Sequence, residues 1–242
     1  METYTEVRIF TKPKNAYNAI AKEIIKLILS SNQEVFDIAL SGGNTPKAFF
    51  KKLSKKYADQ IPWERIHFWW GDERCVSLKS DESNYKMTNY YLLSNISIPE
   101  ENIHRINGEK IPDNEAIRYA SEIKGNLNFR GKNPVFDLIL LGLGDDGHTA
   151  SLFPDRFEIF EDENICAVAH HPITAQKRIT LTGDAINNAN RIFFLVTGES
   201  KAMRVSEIMN DNDTAKLLPA YYISPQNGEL IWFLDEPAAS KI

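Results

Sequence analysis

The chain has 242 residues, 43% of them hydrophobic and 25% charged, with a net charge of −5 and two cysteines. This composition predicts one globular domain with a sizeable core, since single α/β domains of about 200–250 residues are routine. The acidic balance, with no basic stripe to displace counterions from a phosphate backbone, excludes broad nucleic-acid binding but not a local basic pocket for a small anion.

In chain order, a short apolar run at Val7–Phe10 precedes a helical pattern over Asn15–Ser30, where Ala16, Ala19, Ile20, Ile24 and Leu27 recur at helical spacing. The run Val35–Leu40 leads into a helix over Pro46–Ala58, for which Thr45 is the expected cap and Pro46 the first helical position. Ile66–Trp70 follows, then a helix over Glu82–Leu93 with Ser80 or Asp81 as its expected cap, then a helix over Asn114–Leu127. Val135–Leu141 and Ile192–Val196 read as strands, Ser200–Met209 as a helix and Leu230–Leu234 as the last strand. Such alternation of strands and helices predicts a mostly parallel sheet. No repeat, low-complexity tract or linker divides the chain, so residues 1–242 read as one unit.

No apolar run approaches the ~18 residues of a membrane span. The start, Met-Glu-Thr-Tyr-Thr-Glu-Val-Arg, lacks the basic-then-apolar layout of a signal peptide, so a cytoplasmic location is expected. Cys75 and Cys166 form no metal or redox spacing and read as ordinary thiols. The adjacent His170 and His171 would diverge in a strand, and no metal site is predicted.

Four segments carry chemistry. Ser41-Gly42-Gly43-Asn44-Thr45-Pro46 follows a strand and opens a helix, which makes it either an anion cradle or a plain glycine-rich turn. Gly142-Leu143-Gly144-Asp145-Asp146-Gly147 has the glycine spacing of a dinucleotide loop. Two carboxylates there would repel a pyrophosphate, and they suit His148 better. Asp146, two residues before His148 at a strand end, forms a candidate catalytic pair. Gly71-Asp72-Glu73-Arg74 follows the strand Ile66–Trp70 and reads as a surface ion-pair cluster or as a site in which Arg74 clamps an anion. Thr197-Gly198-Glu199-Ser200-Lys201 opens the helix after Ile192–Val196. Lys201 there opposes the helix dipole, a position that makes sense if it faces an anion. Arg178, opening Arg178-Ile179-Thr180-Leu181-Thr182, reads equally as a further phosphate partner or as an exposed strand-end arginine.

Taken together, Ser41–Pro46, Gly71–Arg74 with Ser83-Asn84, Leu141–Pro154, Arg178–Thr182, Gly198–Ala202 and Leu218-Pro219-Ala220 leading to Trp232–Asp235 make the chain resemble the 6-phosphogluconolactonases. These are relatives of the glucosamine-6-phosphate deaminases. The resemblance implies a mostly parallel, doubly wound, Rossmann-like sheet with helices on both faces. It also implies hydrolysis of a small sugar-phosphate lactone, 6-phosphoglucono-1,5-lactone, without a cofactor, by a monomer or small homo-oligomer. On that basis His148 would be the general base and Asp146 its orienting partner. Asp72 and Arg74 would contact the sugar and carbonyl, with Arg74 alternatively on the phosphate. Ser41, Gly42, Gly43, Asn44, Thr45, Arg178 and Lys201 would hold the phosphate. The deaminase pattern has Asn-Glu-Pro where this chain has Leu152-Phe153-Pro154, and Asp-Glu-Tyr where it has Asp72-Glu73-Arg74, and both departures favour the lactonase. A non-catalytic sugar-phosphate sensor is the alternative of a different class.

Overall fold

Runs such as Leu138–Leu141 and Ile192–Val196, apolar at every position, need cover on both faces of a sheet. The computed structural model, which describes residues 4–242, provides it. Residues 1–3, the start of the N-terminal stretch that lacks a signal-peptide layout, lie outside the described residues. The elements are β1 (Tyr4–Phe10), α1 (Pro13–Ser30), β2 (Phe36–Leu40), α2 (Asn44–Lys56), β3 (Ile66–Trp70), β4 (Asp72–Arg74), α3 (Asn84–Tyr91), α4 (Pro112–Asn126), β5 (Phe129–Arg130), β6 (Asn133–Pro134) and β7 (Leu138–Leu141). They continue with α5 (Phe157–Phe160), β8 (Cys166–His170), β9 (Lys177–Leu181), α6 (Gly183–Asn187), β10 (Arg191–Val196), α7 (Ala202–Met209) and β11 (Glu229–Asp235).

Six strands form one parallel sheet in the order β1-β11-β10-β7-β2-β3. Helices cover it, and the central strands β7 and β10 are buried almost throughout, as a doubly wound sheet requires. From β2 the chain adds β3 on one side and then returns to set β7 on the other. The winding therefore reverses between β2 and β7, and the loops that leave their carboxyl ends part around a crevice. No helix among the described residues is long and apolar enough to cross a membrane.

A second, antiparallel sheet of order β4-β9-β8 was not anticipated from the sequence. Asp72-Glu73-Arg74 has no apolar period, and it is extended because it pairs with β9, in the register Asp72↔Thr180, Glu73↔Ile179, Arg74↔Arg178. Arg178 accordingly lies within a strand of this second sheet, not at a strand end of the first.

Two helix starts differ from expectation. At α2 the cap position is Gly43, with φ +102° and no capping side chain, and the Thr45 hydroxyl is engaged with Thr197 Oγ1 at 3.1 Å. At α3 the cap is Ser83, whose Oγ accepts from Lys86 N–H at 3.1 Å, so Ser80 and Asp81 stay outside the helix. The start is displaced because the buried Glu73 carboxylate draws in the N–H groups of Asn84 and Tyr85 at 2.8 and 2.7 Å.

α4 is tied to the end of β3 by one side chain. The fully buried Tyr119 hydroxyl accepts from Trp70 N–H at 2.8 Å and donates to Trp70 O at 3.0 Å, just before the chain turns into β4. Tyr119→Phe leaves that peptide unpaired in the core and is expected to cost about 1–3 kcal/mol in chemical denaturation.

Candidate active site

The loops leaving β2, β7 and β10 meet above the carboxyl ends of those strands. With β4, β9 and the start of α3 they enclose a cleft of about 440 Å³. The predicted residues Ser41–Thr45, Asp72, Arg74, His148, Arg178 and Lys201 all line it. Asn84, Thr197 and Ser200 line it too, although sequence reasoning gave them no role.

The loop after β7 is a tight turn, with Gly144 N–H donating to His148 O at 2.8 Å and Gly147 at φ +88°. It folds His148 back onto Asp146, and the Asp146 carboxylate meets His148 Nδ1 at 2.5 Å and His148 N–H at 3.1 Å. A neutral His148 that gives its Nδ1 proton to Asp146 carries its basic lone pair on Nε2. Gly144 is dictated by this pair, because a Cβ there would stand 2.2 Å from His148 Nδ1 and 2.6 Å from Asp146 Oδ1. Below lies the buried Phe153 ring, its centroid 5.0 Å from that of His148 and 5.5 Å from the Arg178 guanidinium carbon. Burial alone would raise the Asp146 carboxyl, but the hydrogen bonds and charge of His148 outweigh it and hold the group at about 2.

Asp72 and Glu73 are buried, and among the described residues neither takes part in an ion pair within 4 Å, which removes the surface-cluster reading. Glu73 receives Arg74 N–H, Asn84 N–H, Tyr85 N–H and Ser83 Oγ–H, so it is a structural acceptor that locks β4 to α3. That lock sets Asn84 against Gly42, where a Cβ would fall 1.8 Å from Asn84 Oδ1. Asn84 Nδ2 donates to Asp72 O at 2.9 Å, and Ser151 Oγ donates to Asp72 Oδ2 at 2.7 Å, holding this carboxylate at the cleft wall.

The cations differ in how well they are partnered. Arg74 and Arg178 sit opposite each other across β4 and β9; Arg74 Nη1 donates to Glu82 O at 2.6 Å, but the buried Nε of each arginine has no hydrogen-bond partner among the described residues. Arg178 is only 9% exposed, and burial lowers its pKa. A desolvated guanidinium with an unmet donor favours an anionic ligand. Lys201 is not free, as its Nζ lies 2.6 Å from Asp145 Oδ1. Asp145 thus turns away from His148. The Ser41 hydroxyl is also spent, on Leu140 O at 2.7 Å, so only the backbone of Ser41 is available to the cradle.

Because the folded-state pKa of Asp146 is depressed, its contribution to stability is present above the unfolded value near 4 and is lost as pH falls toward about 2. The carboxylate is 45% exposed, and solvent screening limits that contribution to about 1 kcal/mol or less. Stability measured from pH 5 to 2 is expected to fall less steeply in Asp146→Asn than in the parent.

A family model described as glucosamine-6-phosphate isomerases/6-phosphogluconolactonase matches residues 11–232. A 6-phosphogluconolactonase of Haemophilus influenzae is 45% identical over 230 residues, covering 95% of this chain and 96% of that protein. A solved structure described as devB protein is 41% identical, with a TM-score of 0.92 over 98% of this chain and 99% of its own. The crystal structure of 6-phosphogluconolactonase from Thermotoga maritima is 29% identical, with a TM-score of 0.83 over 96% and 99% of the two chains. The family match runs from the end of β1 into β11 and takes in every element that lines the cleft, and the chain belongs to the glucosamine-6-phosphate isomerase/6-phosphogluconolactonase family.

Proposed function

We propose that this protein hydrolyses 6-phosphoglucono-1,5-lactone to 6-phosphogluconate, a step of the oxidative pentose phosphate pathway. It does so as a single cytoplasmic lactonase domain, without a cofactor and with no nucleic-acid or membrane partner. The observation that carries this reading is His148, which lines the crevice where the sheet reverses and is paired with Asp146 behind it, in a chain 45% identical to a protein named for that activity.

His148 Nε2 takes a proton from water as the water oxygen attacks the lactone carbonyl carbon. The carbonyl electron pair moves onto oxygen, and Arg74 stabilises that charge from across the cleft. When the tetrahedral intermediate collapses, the bond from the carbonyl carbon to the ring oxygen breaks. The His148 imidazolium then returns its proton to the leaving oxygen. Asp146 keeps the imidazole in the required tautomer and stabilises its charged form, a role supported by its low pKa. Asp72, held by Asn84 and Ser151, contacts the sugar hydroxyls. The uncapped start of α2 offers backbone N–H groups of residues 42–45 to the phosphate, alongside Arg178 and Lys201. The deaminase reading is disfavoured because Phe153 is buried under His148 and has no group that could assist ring opening by proton transfer.

The test is lactone hydrolysis with substrate generated in situ and spontaneous hydrolysis subtracted. His148→Ala is expected to lower kcat by about 10²–10⁴-fold, the range for a positioned proton-transfer group. Gly144→Ala, which pushes the pair apart without removing either member, is expected to lower kcat at least about tenfold. A parent protein that binds 6-phosphogluconate yet does not exceed background would be a sensor. Ammonia release from glucosamine-6-phosphate would make it a deaminase.

A further inference from the structure

Among the cations that line the cleft, Lys201 alone is matched by a carboxylate within 4 Å among the described residues. That carboxylate comes from a different loop. Asp145 follows β7 and Lys201 follows β10, and Asp145 Oδ1 receives both Lys201 Nζ at 2.6 Å and Ser200 Oγ at 3.1 Å. An ammonium and a hydroxyl converging on one anionic oxygen is the pattern with which a protein binds a phosphate oxygen.

The two sides of the contact are held unequally. The Lys201 loop is anchored by Gly198 N–H on Asp235 Oδ1 at 2.9 Å and by Thr197 on Thr45 at 3.1 Å, which joins it to the start of α2. On the other side, Arg204 Nε holds the Asp145 carbonyl at 3.1 Å while the Asp145 side chain is 73% exposed. Rotation of that one side chain into solvent releases Lys201 with the backbone of both loops in place.

We infer that Asp145 is an internal substitute for the substrate phosphate: it neutralises Lys201 in the empty site and is displaced when a phosphate monoester binds, which weakens phosphate binding and speeds departure of the phosphorylated product. This rests on the reading of Lys201 as a phosphate ligand. It makes Asp145 a residue that sets affinity without touching the reacting atoms. The arrangement has a chemical rationale, since substrate and product carry the same phosphate and any uniform gain in phosphate affinity would also retain the product.

The experiment is calorimetric titration of the full chain with 6-phosphogluconate and with inorganic phosphate, at low ionic strength, for the parent, Asp145→Asn, Asp145→Ala and Lys201→Ala. Both Asp145 variants are expected to bind the two probes about three- to tenfold more tightly, because a competing exposed ion pair and a like charge have been removed. Lys201→Ala is expected to bind them at least about tenfold more weakly. If Lys201→Ala weakens binding but neither Asp145 variant tightens it, Asp145 merely orients Lys201. The inference is then overturned while the phosphate reading of Lys201 stands. If Lys201→Ala binds both probes as the parent does, the phosphate reading fails and the inference fails with it.

Discussion

Where the winding of the sheet reverses, between β2 and β7, the connections that follow the two strands depart in opposite directions and neither can cover the gap. That constraint creates the cleft and decides which backbone reaches it. The loop after β2 arrives as an uncapped helix start, and the loop after β7 arrives as a glycine turn bearing Asp146 and His148. The loop after β10 closes the side with Lys201. Each contributes what a loop at a strand end can supply, namely N–H groups, a short-range side-chain pair and a cation.

The remaining wall comes from the small antiparallel sheet, and its charges divide into two classes. Glu73 is saturated by four donors within the protein and belongs to the framework. Arg74 and Arg178, one strand apart, keep buried donors unmet. A fold that satisfied both arginines internally would gain stability. Their unmet donors are a local cost in stability, one that the proposed phosphate and oxyanion contacts would offset. Phe153 joins these halves, since its buried ring supports both the His148 imidazole and the Arg178 guanidinium. A ring with no titratable group thus packs the His148 imidazole and the Arg178 guanidinium against one surface.

The same economy governs the glycines. Gly42 and Gly144 are small because Asn84 and His148 occupy the space a Cβ would need, at 1.8 and 2.2 Å. Neither is at a positive φ, so close approach explains them and turn geometry does not. Gly43 and Gly147, at φ +102° and +88°, are the positions where the backbone itself turns.

Much of what near neighbours carry is legible in the chain, although the caps of α2 and α3 fall at Gly43 and Ser83 and not at Thr45, Ser80 or Asp81. Apolar runs alternating with helical periods specified the parallel sheet. Glycine-rich segments after those runs marked the loops at its active edge, and Asp146 lies close enough to His148 along the chain for a two-residue turn to join them. Partners far apart in sequence settle the rest. Asp72-Glu73-Arg74 becomes a strand because β9, about a hundred residues on, pairs with it. The Ser41 hydroxyl is claimed by Leu140, 99 residues away, and Asp145 turns from His148 toward Ser200 and Lys201, across a separation of 55 residues to Ser200. Hydrophobic periodicity and turn chemistry are local and can be read in order. Which distant donor satisfies which carboxylate depends on how loops converge at the sheet reversal, and that is settled only when the chain has folded.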